Sequence, residues 1–344
     1  MSLRRPEAWV LLACVALAIV WFSRSRPPSP EPEAPSRPLP ALAALPRDAA
    51  LVISADFGRV RQSPLGALLT GGGRELPGVG SLSEVCGFDP TEQIRELALG
   101  TPERALGHES ELGVVATGDF PRDRLLECAT RVIEKRGGEP TRSQLGSFFT
   151  VRDRRRPDGE LAVREGGPVL LGGGHYLRDM VDAVEGRVPT LLGDERHSVL
   201  RTAVGGRGAV LVTWIARPDW LERWVGRDAV QGSPLGSVRA GALKVEVSPE
   251  LEATLLLTCP DDPTCKKLGA WAEGLKDGLR KAAREGTGDD PIKTATIALE
   301  PNAVRVSASF DSLRASRWLA RLLLDEAPPA VSAEPDEVLL PPRD

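Results

Sequence analysis

Five cysteines and three histidines make up nearly all the nucleophilic and metal-ligating chemistry available to this chain of 344 residues. Cys14 lies inside an apolar run, which leaves Cys86, Cys128, Cys259 and Cys265 in the polar remainder. They fall two in each half, an even count that suits two disulfides in an oxidising compartment. Cys259-Pro-Asp-Asp-Pro-Thr-Cys265 closes a short loop where a strand should hand over to a helix, so Cys86 and Cys128 form the other expected pair. Free buried thiols are the competing reading. A zinc site would need four converging ligands, and neither C-x-x-C nor H-x-x-x-H spacing occurs. His108 and His197 stand in polar stretches read as loops, and His175 follows Gly172-Gly173-Gly174 at a helix entrance. A general base needs an oriented partner, and the sequence pairs none of the three with one.

Other chemistry-bearing patterns fall short of their motifs. In Gly232-Ser233-Pro234-Leu235-Gly236 the first glycine is one place too near the serine for a nucleophile elbow, and the proline argues for a turn. The glycine runs at Gly71 to Gly73, Gly172 to Gly174 and Gly205 to Gly208 lack the G-K-[ST] ending of a phosphate loop. Asp261-Asp262 and Asp289-Asp290 are isolated acidic pairs beside proline, read as solvated loops. The expectation is a non-enzymatic chain with no cofactor and no bound metal. The alternatives are an envelope enzyme, hydrolase-like with an atypical site, or a ligand sensor.

Tryptophan gives the one pattern that points to binding. No Trp lies between Trp21 and Trp214, yet five fall from Trp214 to Trp318. Trp220 and Trp224, four apart on a short expected helix, share a face and form a candidate interaction surface for a protein partner. Packing into a core is the competing reading. Nucleic acid is disfavoured, because beyond residue 26 there are 40 basic and 47 acidic side chains. Arg154-Arg155-Arg156 is a local exception at a hairpin tip, flanked by Asp153 and Asp158.

These residues must be positioned relative to a membrane. Ala8 to Phe22 are 15 consecutive apolar residues flanked by Arg4, Arg5, Arg24 and Arg26. As a helix this run spans about 22 Å, short of a hydrocarbon core of about 30 Å unless flanking serines and snorkelling arginines contribute. Cleavage at Ala16-Leu17-Ala18 would leave an Ile-Val-Trp-Phe terminus, which argues against a removed signal peptide. An uncleaved single-span anchor in the bacterial inner membrane is expected. Lipidation at Cys14 in Leu11-Leu12-Ala13-Cys14, which is similar to a bacterial lipobox, is the alternative. The proline-rich stretch 27–46 would hold a globular part off the membrane on the periplasmic side.

Apolar periodicity then divides the rest. The expected order is an anchor over 1–26, the linker over 27–46, one α+β domain over 47–192, a second over 200–324, and a disordered acidic, proline-rich tail over 325–344. Ser-Pro-Leu-Gly occurs at Ser63 to Gly66 and at Ser233 to Gly236, each time after a strand-like run. Both halves read as strand, helix, strand, strand, helix, strand, strand, helix. In the first, a helix runs from about Pro121 to Arg136, strands cover Leu145 to Arg152 and Glu160 to Leu171, and a helix covers Tyr176 to Glu185. In the second, a helix over about Pro263 to Glu285 should bury Leu268, Trp271, Leu275 and Leu279. The fold class is α+β: two related ferredoxin-like units with mostly antiparallel sheets and helices packed on one face.

Leu45-Pro46-Arg47-Asp48-Ala49-Ala50-Leu51, Cys86-Gly87-Phe88-Asp89-Pro90 and Gly118-Asp119-Phe120 resemble segments of uncharacterised bacterial envelope proteins. Those families carry an N-terminal anchor and duplicated α+β domains of unknown function. The resemblance covers roughly residues 45 to 185 and implies a fold and a location but no activity.

Overall fold

In a computed structural model the described residues are 40–63, 81–103, 111–157, 159–216, 230, 233–247, 250–287, 292–312 and 314–315. The anchor run 8–22, Cys14, His108, Trp220, Trp224 and the tail 325–344 lie outside them.

Ala49–Asp56 (β1) is buried along almost its whole length, because its alternating positions are apolar on both sides. Leu51, Ile53 and Ala55 join one core cluster while Ala49 and Val52 join another on the reverse face. The chain turns through Phe57–Gln62 (α1), whose first turn is capped by Asp56 accepting from the Arg59 amide at 3.0 Å. Leu82–Cys86 (α2) ends at Gly87, which takes a left-handed conformation (φ 70°). Ile94–Pro102 (β2) and Gly113–Gly118 (β3) follow, then Arg122–Lys135 (α3). Four short strands come next: Pro140–Leu145 (β4), Phe148–Asp153 (β5), Glu160–Val163 (β6) and Val169–Gly172 (β7). Gly174–Val184 (α4) and Glu195–Ala203 (α5) close the first half. Val210–Ile215 (β8), Ala240–Glu246 (β9), Leu251–Thr258 (β10), Asp262–Thr287 (α6), Ile292–Glu300 (β11) and Ala303–Phe310 (β12) complete it.

The described strands form one sheet of 12, ordered β11-β12-β10-β9-β8-β1-β2-β3-β7-β6-β5-β4, with antiparallel pairing throughout. The expected separate sheets are therefore fused: β1 and β8 pair across the halves, with Leu51 opposite Trp214 and Ala55 opposite Val210. Pairing the first strand of each half removes two sheet edges at once. The helix-crossed arrangement of a ferredoxin-like unit is replaced, among the described strands, by meanders β1-β2-β3 and β8-β9-β10.

Helices cover both faces, which corrects the expectation of one. Phe57, Val60, Leu125, Leu126, Cys265 and Leu268 from α1, α3 and α6 pack on the Ile53 and Leu97 side. Tyr176, Leu177, Met180 and Val181 of α4 pack on the Val52, Ala98 and Val115 side. On that reverse side Leu200 and Val204, from α5 and its cap, meet Leu211, Ala242 and Leu256. The reason is visible in the central strands, where both odd and even positions are apolar.

Three glycines make room for α4. Gly100, Gly113 and Gly172 lie opposite one another across β2, β3 and β7. A methyl on Gly113 would fall 2.6 Å from Met180 Sδ and 2.7 Å from Tyr176 Cε1, and one on Gly100 would fall 2.5 Å from the Tyr176 hydroxyl. The absence of side chains at this row lets Tyr176 and Met180 sit down on the backbone, where both are fully buried. The second half uses the same device: Trp214 of β8 lies across Gly241 of β9, its ring 2.1 Å from where a methyl would stand.

Several boundaries shift from the sequence reading. The strand expected over 160–171 is two strands turned at Gly166 (φ 62°), and that expected over 145–152 is β5 alone, starting at Phe148 after a turn at Gly146 (φ 58°) that pairs it with the unforeseen β4. Helix α6 buries Leu268 and partly buries Trp271, but Leu275, expected inside, is 41% exposed.

Candidate functional site

The four candidate cysteines pair as the spacing implies. Cys86 ends α2 and Cys128 lies in α3, with their Cα atoms 4.5 Å apart. Both are buried beside Val85, Leu82, Phe88 and Val132, so this bridge staples the short α2 to the long helix. Cys259 follows β10 and Cys265 lies in the first turn of α6, with their Cα atoms 5.6 Å apart. Asp261 accepts from the Thr264 amide at 2.8 Å between them, capping the helix inside the loop that the bridge closes. Among the described residues no group of three or more His, Cys, Asp and Glu converges to hold a metal.

Sequence reasoning missed a buried polar cluster where the halves meet. His197, read as a loop residue, sits in α5 and is fully buried. Its helix begins at Asp194, whose carboxylate accepts from the Arg196 amide at 2.8 Å, and Asp194 followed by Glu195 was the signal available in sequence. His197 Nε2 lies 2.8 Å from the Ala49 carbonyl of β1, and Nδ1 lies 2.7 Å from the Thr213 hydroxyl of β8. Only a protonated nitrogen can donate to a carbonyl, so Nε2–H donates and the neutral ring accepts at Nδ1 from Thr213. Burial is the largest influence on this imidazole and pushes its pKa below the usual histidine value, although the Ala49 bond and Asp194 oppose it.

Asp194 is 1% exposed. Burial pushes its carboxyl up, but the Arg196 side chain and amide together outweigh that and hold it below the usual carboxylate range. Arg196 reaches Asp194 Oδ2 at 2.8 Å and Glu103, just past β2, at 2.5 Å, which raises its own pKa. The order acid, imidazole, hydroxyl invites comparison with a catalytic triad. However, a triad imidazole keeps one nitrogen on the nucleophile and the other on the acid. Here Nε2 is consumed by a main-chain carbonyl, and neither Thr213 nor His197 is open to solvent. The cluster ties β1, β2, β8 and α5 together, and its chemistry is structural.

The arginine tip is also engaged. Arg154 reaches Glu139 at 2.9 Å, and Arg155 donates to the Gly137 carbonyl at 2.9 Å, which secures the β5 end to the turn after α3. His175 stands exposed at the start of α4 beside Gly174 (φ 59°). Trp220 and Trp224, the candidate interaction face, fall in the undescribed stretch 217–229.

The outer end of the sheet is polar and only partly covered. On the α5 side, Thr296 of β11, Ser307 of β12, Thr254 of β10 and Lys244 of β9 form one cross-strand row. Thr294 and Ser309 share a hydrogen bond of 2.7 Å in the next row. Beyond them β11 is the last strand among the described residues, with Leu299 54% exposed. No helix among the described residues is long and apolar enough to cross a membrane.

No family model matches the chain, and no curated protein matches it. Among solved structures it is similar to TP0453 in crystal form III, at 11% identity and a TM-score of 0.48, covering 82% of this chain and 98% of that one. It is also similar to crystal form I of TP0453, at 9% identity and a TM-score of 0.47, covering 83% and 98%.

Proposed function

We propose that this protein is a non-catalytic binding module held on the outer side of the bacterial inner membrane by residues 8–22 and engaging a protein partner of the envelope through Trp220 and Trp224. The observation that carries the reading is the pairing of all four cysteines outside the apolar run into two bridges, one in each half. Such bridges persist in oxidising compartments and are rare in reducing ones. The apolar run, its arginine flanks and residues 27–39 supply a means of tethering, whereas Ala41–Leu45, expected in the linker, pack into the core.

We also propose that the halves are related by duplication. Each has a three-strand meander, then a long helix, then strands that return to pair with the meander's third strand, β7 on β3 and β12 on β10. The first half differs by an extra hairpin.

In-cell crosslinking of the full chain, followed by purification and mass spectrometry, tests the binding reading. One reproducible envelope partner is expected, and it should disappear with the Trp220→Ala and Trp224→Ala pair while the urea midpoint stays unchanged. Retention of that partner by the double variant would refute the assigned face. Recovery of cytoplasmic partners only would refute the location.

A further inference from the structure

The sequence treats the two ends of the sheet, as formed by the described strands, differently. At one end β4 is only six residues long, opens on Pro140, and presents Arg142, whose guanidinium is held by Thr130 at 3.1 Å. Proline, charge and brevity are the standard ways of blunting a sheet edge. At the other end β11 runs nine residues, Ile292–Glu300, without proline. Its only charges, Lys293 and Glu300, stand at opposite ends, and Thr294-Ala295-Thr296-Ile297-Ala298-Leu299 between them is uncharged. The irregularity in its pairing with β12 falls at Ile292 to Thr294, so the stretch from Thr294 to Glu300 is regular. Thr294, Thr296, Ala298 and Leu299 are all exposed.

We propose that β11 is a homodimer seam, pairing antiparallel with β11 of a second copy so that the sheet continues from one chain into the next. A two-fold axis normal to the sheet keeps the faces of both copies aligned, which requires each residue to meet one on its own face. Centred on Ile297, the regular stretch then pairs Ile297 with its own copy, Ala295 with Leu299, Thr296 with Ala298 and Thr294 with Glu300. The apolar residues of one face meet apolar residues, and the exposed Leu299 side chain is covered. Glu300 meets a hydroxyl rather than another carboxylate. A parallel pairing would set Lys293 beside Lys293 and Glu300 beside Glu300, and like charges side by side oppose it. The chain already continues its sheet in this way once, where β1 and β8 pair antiparallel.

The test uses the full chain in mild detergent. Light scattering of the wild type at micromolar concentration should give the dimer mass. In the Thr296→Lys and Ala298→Lys double variant, the same register places lysine opposite lysine on both sides of the axis. Both positions are exposed, so the urea midpoint should hold while the mass falls to that of the monomer. Oxidation of an Ile297→Cys variant should give a covalent dimer within minutes, whereas Thr294→Cys, six residues from its own copy in this register, should give none. A monomeric wild type, a double variant that remains dimeric, or equal crosslinking at 294 and 297 would each overturn the proposal. Retention of the dimer by the lysine variant would assign association to the anchor instead.

Discussion

Replacing Gly113 by alanine probes both the packing of α4 and the continuity of the sheet. The added methyl would stand 2.6 Å from Met180 Sδ, 2.7 Å from Tyr176 Cε1 and 2.8 Å from Met180 Cε. Methionine alone could swing aside, but Met180 is fully buried and the Tyr176 ring is rigid, so α4 must lift from the sheet. Overpacking of this kind costs about 1–3 kcal/mol, and three contacts well inside van der Waals distance put this case near the top of that range. A loss of about 3 kcal/mol reduces the folded-to-unfolded ratio on the order of 100-fold and moves a urea midpoint by about 1 M. Gly193→Ala, where a methyl meets nothing within 4 Å, should stay within about 0.5 kcal/mol of the wild type. The assay is tryptophan fluorescence during urea unfolding in mild detergent. Apart from Trp9 and Trp21 before the linker, every Trp lies at 214 or beyond, in the other half from Gly113. Because β1 pairs with β8, destabilising β3 should shift the transition those residues report. Adding Met180→Ala should recover about 1–2 kcal/mol of coupling. An unmoved midpoint for Gly113→Ala would refute the packing argument. A circular-dichroism transition that moves while fluorescence stays would refute a cooperative sheet.

Other expectations are simpler to check. His197→Ala strands the Thr213 hydroxyl and the Ala49 carbonyl in the core, and should cost about 2–4 kcal/mol at neutral pH by urea unfolding. Because the folded ring resists protonation while the unfolded ring accepts a proton near its ordinary 6.5, wild-type stability should fall as pH drops through that value. The slope between pH 7 and 5 should flatten in the variant, and an equal slope would contradict the role given to His197. Removing the Cys86–Cys128 bridge with a double alanine variant should cost about 4 kcal/mol by loop entropy, against about 2 kcal/mol for Cys259–Cys265, since their sequence separations are 42 and 6. The reverse order in thermal or urea midpoints would mean that local packing, rather than chain entropy, dominates. Gly241→Ala should displace the Trp214 ring, destabilise by about 3 kcal/mol and shift the emission maximum, whereas an unchanged spectrum would place the ring elsewhere.

Much of the local structure was legible because the chemistry is local. Helix α6, Asp262–Thr287, falls where the apolar positions over about 263–285 put it. Arg122–Lys135 follows from the stripe of Leu125, Leu126, Ala129 and Val132. The cysteine pairs followed from counting and spacing. What stayed hidden depends on long-range pairing. Nothing in Ala49–Asp56 states that it will meet Val210–Ile215 rather than stand as an edge, so the two expected sheets became one. Helix α5 escaped because its buried face includes His197, which reads as polar in a periodicity count yet is satisfied on both nitrogens in the fold. The Gly100, Gly113 and Gly172 row escaped because the three are far apart in sequence and only strand pairing aligns them, each marking a close approach of Tyr176 or Met180 to the backbone.

The most direct test of the account is a thiol count on full-length protein taken from native membranes. The chain is denatured without reductant, alkylated and measured by mass spectrometry. The bridges predict at most one reactive thiol, at Cys14, with peptides joined as Cys86–Cys128 and Cys259–Cys265. Alkylation of all five cysteines would place the chain in a reducing compartment and contradict the proposed location.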